Sequence, residues 1–100
     1  MKEINALEFE KLSGYSLVDF SATWCGPCRM LKPILEKLDN EYENVNFYSI
    51  DVDNEPDLCA KLNINSVPFV IFMKDNEVVS SFTGFIPEKM IKNFIEKCMN

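Results

Sequence analysis

Two short apolar runs, 17-LVDFSA-22 and 69-FVIFM-73, do most to limit what this chain can become. Both are too brief for a buried helix, and the second contains no polar residue. Runs of this kind read as strands covered on both faces, because a half-exposed strand alternates polar and apolar positions. A strand covered twice needs a layer on each side, and the intervening segments are built to supply it. From Pro27 to about Tyr42, residues Met30, Leu31, Ile34, Leu35, Leu38 and Tyr42 recur at three- and four-residue intervals, the stripe of an amphipathic helix. Pro27 suits the first turn of that helix. Pro33 does not suit the interior: it removes the backbone bond to the Arg29 carbonyl and should kink the helix.

The other segments complete the pattern. Lys2–Asn5 is expected as a short edge strand, and Leu7–Leu12 as a short helix with Leu7 and Leu12 inward. Val45–Asp53 returns to strand character, and Pro56–Leu62 is a short helix with Leu58, Cys59 and Leu62 inward. Asp75-Asn76 can take positive φ and turns the FVIFM strand back onto 78-VVSSFT-83. Pro87 then opens a helix striped by Met90, Ile91, Phe94, Ile95 and Cys98. The order is β-α-β-α-β-α-β-β-α over 100 residues, the length of one domain. The expected fold is α/β, a central mixed five-stranded sheet with helices on both faces. Strands joined through helices should pair in parallel, and the last hairpin should add an antiparallel edge.

The chemistry is concentrated in 23-TWCGPCRM-30, where two cysteines stand three positions apart beside a large aromatic. Three readings are open: a structural disulfide, half of a metal site, or a pair that opens and closes during catalysis. The chain has no histidine, which excludes Cys-His proteases, Ser-His-Asp hydrolases and His-containing zinc sites. Cys59 and Cys98 do not form a second CxxC pair, so a four-thiolate zinc site lacks its usual spacing. Four scattered cysteines are also too few for a small secreted disulfide scaffold. A net charge of -6 argues against nucleic acid as a partner. No apolar run approaches the roughly 20 residues needed to span a bilayer. The start, MKEINALEFE, has no apolar signal region, and a cytoplasmic location is expected. A CxxC pair that follows a buried strand and opens a helix, in such a βαβ setting, reads as a redox motif.

The residues that carry this reading also carry a resemblance. The chain resembles the thioredoxin family over essentially its full length, through VDFSATWCGPC, Pro33, DVDNEP at 51–56, SVPFVIF at 66–72 and Thr83-Gly84. The Gly26-Pro27 pair between the cysteines is similar to thioredoxins rather than to glutaredoxins or disulfide isomerases. A thiol at a helix amino terminus is stabilised as thiolate by free N–H groups and the macrodipole, which favours Cys25 as the attacking group. Cys28, one turn further in, is the expected resolving thiol. A static cytosolic disulfide closing so small a loop would add little stability and would tend to be reduced.

Asp19 interrupts a strand that must be covered on both faces, so burial should raise its pKa. The resemblance places the family's buried acid here, six residues before the first cysteine, as proton carrier for the resolving thiol. It also implies a cis bond at Val67-Pro68 facing the cysteines, with the Val67 backbone pairing to an extended substrate segment. Trp24, Gly26, Pro27, Val67, Pro68 and Gly84 would then form a shallow, mostly apolar docking surface. Cys59 and Cys98 fall on inward stripes and are expected as small core hydrophobes. Four positions depart from the family pattern. Ser21 replaces a common tryptophan, Ser49 a common lysine near the buried acid, and Phe69 the threonine after the cis proline. The hairpin relies on Asn76 rather than glycine.

The implied activity is disulfide reduction in proteins by a monomer without cofactor, recharged by a thioredoxin reductase. Disulfide-containing proteins such as peroxidases and reductases are the implied substrates. The competing readings are an adaptor built on the same fold, and an electron donor dedicated to one peroxidase or reductase.

Overall fold

In the computed structural model, which describes residues 1–100, strands and helices follow the expected order. They are β1 (Lys2–Glu3), α1 (Ala6–Phe9), β2 (Tyr15–Ser21), α2 (Gly26–Glu41) and β3 (Val45–Asp51). Then come α3 (Pro56–Lys61), β4 (Phe69–Lys74), β5 (Glu77–Thr83) and α4 (Glu88–Met99). One five-stranded sheet results, in the order β1-β3-β2-β4-β5, with the apolar runs β2 and β4 side by side. β2 and β3 are parallel, and their register sets Asp19 level with Ser49. β1 pairs in parallel with β3 through only Lys2 and Glu3.

β4 departs from the expected parallel crossover, for it runs antiparallel to β2, with Phe20 opposite Phe69. Of the seventeen residues between β3 and β4 only the six of α3 are helical. They rise about 9 Å, against the roughly 20 Å that a strand the length of β4 covers, and the loops on either side of α3 do not make up the return. β4 starts at the end where β2 and β3 finish, and this gathers three chain segments at one edge.

Alternation along the strands divides the core into two layers. On one face Leu17, Phe47, Val70 and Phe72 pack against Leu31, Leu35 and Leu38 of α2 and Ile91 and Ile95 of α4. On the other, Val18, Phe20, Ile50 and Ile71 pack against Phe9 of α1 and Leu58 and Cys59 of α3. This is why the two apolar runs contain so few polar residues. Helices α2 and α4 are also tied by Lys37 Nζ to Glu88 at 3.0 Å and by Tyr42 Oη donating to Glu96 at 2.9 Å.

Three residues expected to face inward lie exposed instead: Leu7, Met30 and Met90. Helix α1 is a single turn closed by an Asn5–Glu8 capping box, and its inward place goes to Phe9. Met30 and Met90 each precede a fully buried residue, Leu31 and Ile91. One residue is about 100° of helix, enough to leave a narrow buried stripe. Pro33 sits inside α2, which continues to Glu41. The hairpin turn forms as expected without glycine, with φ of 49° at Asp75 and 67° at Asn76. Asn76 Nδ2 also donates to the Phe9 carbonyl at 2.8 Å, fastening the turn to α1.

Candidate active site

β2 delivers the chain to the edge of the sheet, and four residues later Cys25 becomes the N-cap of α2. Its extended backbone (φ -93°, ψ 114°) turns Sγ back over the first helical turn. There Sγ accepts the N–H of Cys28 at 3.2 Å, the place usually filled by a Ser or Asp oxygen. The i, i+3 spacing at a helix start brings the two Cα atoms to 5.3 Å, within disulfide range, and the two sulfurs are bonded. Cys25 and Cys28 are almost equally buried, at 5% and 3% exposure. Depth therefore does little to distinguish them. Position does: Cys25 caps the helix and its Sγ lies 3.8 Å from the Val67 carbonyl oxygen.

The loop before β4 forms the opposite wall. The Val67-Pro68 peptide is cis, and the Pro68 carbonyl accepts the N–H of Gly84 at 2.8 Å. Gly84 makes this approach with φ of 79°, a conformation that favours glycine. Val67 packs with Ala22, Cys25 and Cys28, yet its own N–H and C=O make no backbone hydrogen bond. Gly26 and Pro27 lie exposed on the first turn of α2.

Trp24 is 66% exposed and is not a core aromatic. Its Nε1 donates to Asp53 Oδ2 at 2.9 Å, which holds the indole against the β3–α3 loop. Beside it runs a groove of about 210 Å³ lined by Trp24, Val52, Cys59, Ile64 and Val67. The sequence-predicted docking residues are thus gathered around the cysteine pair at one edge of the sheet.

Asp19 lies on the other side of the pair, only 2% exposed, with no hydrogen-bond partner at Oδ1. Burial pushes its pKa up from 3.8 to about 7, against an opposing pull from the positive charge of Lys32. A cleft of about 260 Å³ joins Asp19, Cys28, Lys32, Ser49 and Asp51. Sequence reasoning missed Asp53 and Lys32. Asp53 lies within the DVDNEP landmark, so its position was flagged but its bond to Trp24 was not. The one signal for Lys32 is its spacing, four residues beyond Cys28. The free thiols Cys59 and Cys98 are buried and half-buried respectively. Burial pushes both pKa values up, with Glu55 adding to the effect at Cys59.

The family model described as Thioredoxin matches residues 4–97. A thioredoxin of Staphylococcus saprophyticus is 45% identical over 86 residues, covering 85% of this chain and 83% of its own. A thioredoxin of Staphylococcus aureus is 42% identical over the same shares of both chains. Among solved structures, oxidised mitochondrial thioredoxin 3 from Saccharomyces cerevisiae matches with a TM-score of 0.87 at 31% identity, covering 97% of this chain and 94% of its own.

Proposed function

This chain belongs to the thioredoxin family and is a thiol–disulfide oxidoreductase, and on that premise we propose that it reduces disulfides of other proteins through Cys25 and Cys28. The observation that carries the proposal is the placement of Cys25. Its sulfur caps a helix amino terminus and sits beside the carbonyl of Val67, a residue whose backbone pairs with no other backbone group.

In the reduced protein the Cys25 thiolate, favoured by the N–H of Cys28 and the macrodipole, attacks one sulfur of the substrate disulfide. The substrate S–S bond breaks, one substrate sulfur leaves as thiolate, and the other remains joined to Cys25. Cys28 then gives its proton to Asp19 and attacks the Cys25 sulfur. The second substrate thiolate leaves, and two electrons have passed from the cysteine pair to the substrate. Asp19 suits the acceptor role because a carboxyl titrating near 7 can both take and release a proton at neutral pH. The substrate segment lies along the Trp24–Val67 groove, adding backbone hydrogen bonds to Val67 in the manner of strand addition. Gly26, Pro27, Pro68 and Gly84 complete that landing surface.

The resulting disulfide needs two electrons and two protons to reset, and a thioredoxin reductase is the partner of that class. We place the protein in the cytoplasm, as a monomer without a bound cofactor. No helix is long and apolar enough to cross a membrane. A module used only for docking needs neither a bonded CxxC pair nor a buried unpartnered acid beside it. The test is a disulfide-reduction assay driven by dithiothreitol. The proposal expects acceleration by wild type and none by Cys25→Ser; equal rates for the two would sink it.

A further inference from the structure

The cleft beside Asp19 contains charged groups that the exchange chemistry leaves unused. Asp19 reaches it from β2, buried and without a partner at Oδ1. Ser49 is level with Asp19 on β3 and lines the same cleft, so the neighbouring strand offers a hydroxyl there and no charge. On its other side Asp19 faces Val70 of β4, which is apolar. The remaining titratable groups of the cleft are Glu3 of β1, Asp51 of β3, and Cys28, Arg29 and Lys32 of α2. The α-amino group of Met1 is also near, but Asp39 already holds it at 3.0 Å.

Of the cations, Lys32 is the one whose position matches the need. It stands four residues beyond Cys28, so its side chain leaves α2 over the same side of the helix one turn later. It makes no ion pair elsewhere. Its charge opposes the effect of burial on the Asp19 carboxyl, whereas Glu3 and Asp51 lie across the cleft with the opposite sign.

We propose that Lys32 is a positioning residue for thiol–disulfide exchange: its ammonium, carried on the turn of α2 after Cys28, keeps Asp19 able to take up and release the Cys28 proton through the cleft. The inference rests on the proton-acceptor role proposed for Asp19. Cys28 Sγ–H loses its proton to Asp19 as the Cys28 thiolate forms. The thiolate bonds to the Cys25 sulfur, and the substrate sulfur leaves with the electron pair. The proton then passes from Asp19 to solvent along the cleft, and Lys32 favours the ionised carboxylate that results.

The experiment has two readouts on wild type, Lys32→Gln, Lys32→Arg and Arg29→Gln. The first follows the Asp19 carboxyl carbon by NMR against pH in the oxidised protein, where neither active cysteine titrates. The second is the pH–rate profile of disulfide reduction. Lys32→Gln is expected to raise the Asp19 midpoint by about half a pH unit. The acid limb of the rate profile should move with it, a loss of about threefold below the midpoint. Lys32→Arg should restore both, and Arg29→Gln should move them less. An Asp19 midpoint unmoved in Lys32→Gln overturns the assignment of Lys32. A midpoint that moves while the rate profile stays in place overturns the proton-acceptor role of Asp19, and this inference with it.

Discussion

Nε1 of Trp24 donates a hydrogen bond to Oδ2 of Asp53 at 2.9 Å, joining the loop before α2 to the loop after β3. The indole is two-thirds exposed, so packing alone does not hold it. Asp53 fixes the angle at which the ring borders the groove shared with Val67. Asp53→Ala should release the ring. Because Trp24 is the single tryptophan, fluorescence anisotropy decay reports its mobility directly. One hydrogen bond contributes about 1 kcal/mol, so kcat/KM for a protein disulfide should fall by about two- to fivefold. A small aromatic disulfide, which needs no docking surface, should react at the wild-type rate. Unchanged anisotropy would mean the ring is held by other contacts.

The placement of Cys25 at the helix cap makes an order of reactivity testable. Limiting iodoacetamide added to the reduced protein at pH 7 should modify Cys25 about tenfold faster than Cys28, as read by peptide mapping. Cys28→Ser should accumulate covalent mixed disulfides with substrate proteins, since the first attack survives and the resolving attack is lost. Faster labelling of Cys28 would reverse the two roles.

Asp19 connects stability to pH. Its folded pKa of about 7 lies above the ordinary 3.8, so the folded protein holds this proton more tightly than the unfolded chain does. The stabilising contribution is whole below about pH 4 and is lost as pH rises through about 7, a total of about 4 kcal/mol. Asp19→Asn removes the dependence. Denaturant unfolding of the oxidised proteins should show the variant about equal to wild type at pH 4 and about 2–4 kcal/mol more stable at pH 8. The same variant should reduce protein disulfides about 10- to 100-fold more slowly at pH 7, because Asn cannot accept the Cys28 proton. A large loss of stability would instead identify the carboxylate as a structural anchor.

Cys59 and Cys98 should be poor nucleophiles in the folded protein, since burial raises both thiol pKa values. Iodoacetamide at pH 7 on the oxidised protein should label half-buried Cys98 slowly and Cys59 more slowly still. Denaturant should bring the two to equal rates. Rapid labelling of Cys59 in the native protein would show that α3 opens away from the sheet.

Much of this was legible because the relevant physics is local. A strand covered on both faces declares itself by an apolar run such as 69-FVIFM-73. The helix stripes declare themselves by spacing. The cysteine pair is equally local, for an N-cap, a proline in the first turn and an i, i+3 separation all lie within five residues. Asp19 was legible as the one charge in a run that has to be buried. Leu7, Met30 and Met90 were misread because apolar identity at roughly helical spacing does not say how wide the buried stripe is.

The sequence by itself determined the order of elements, the two-sided sheet, the reactive pair and the acid beneath it, because each depends on residues close together in the chain. Only the tertiary structure decided the direction of β4, which pairs antiparallel with β2 although a connection of seventeen residues could also have served a parallel crossover. It also decided the bond between Trp24 and Asp53, and the meeting of Asp19, Ser49 and Lys32 at one cleft. Those relationships join segments that are distant in sequence, and their energies depend on distance and burial, which residue order alone does not specify.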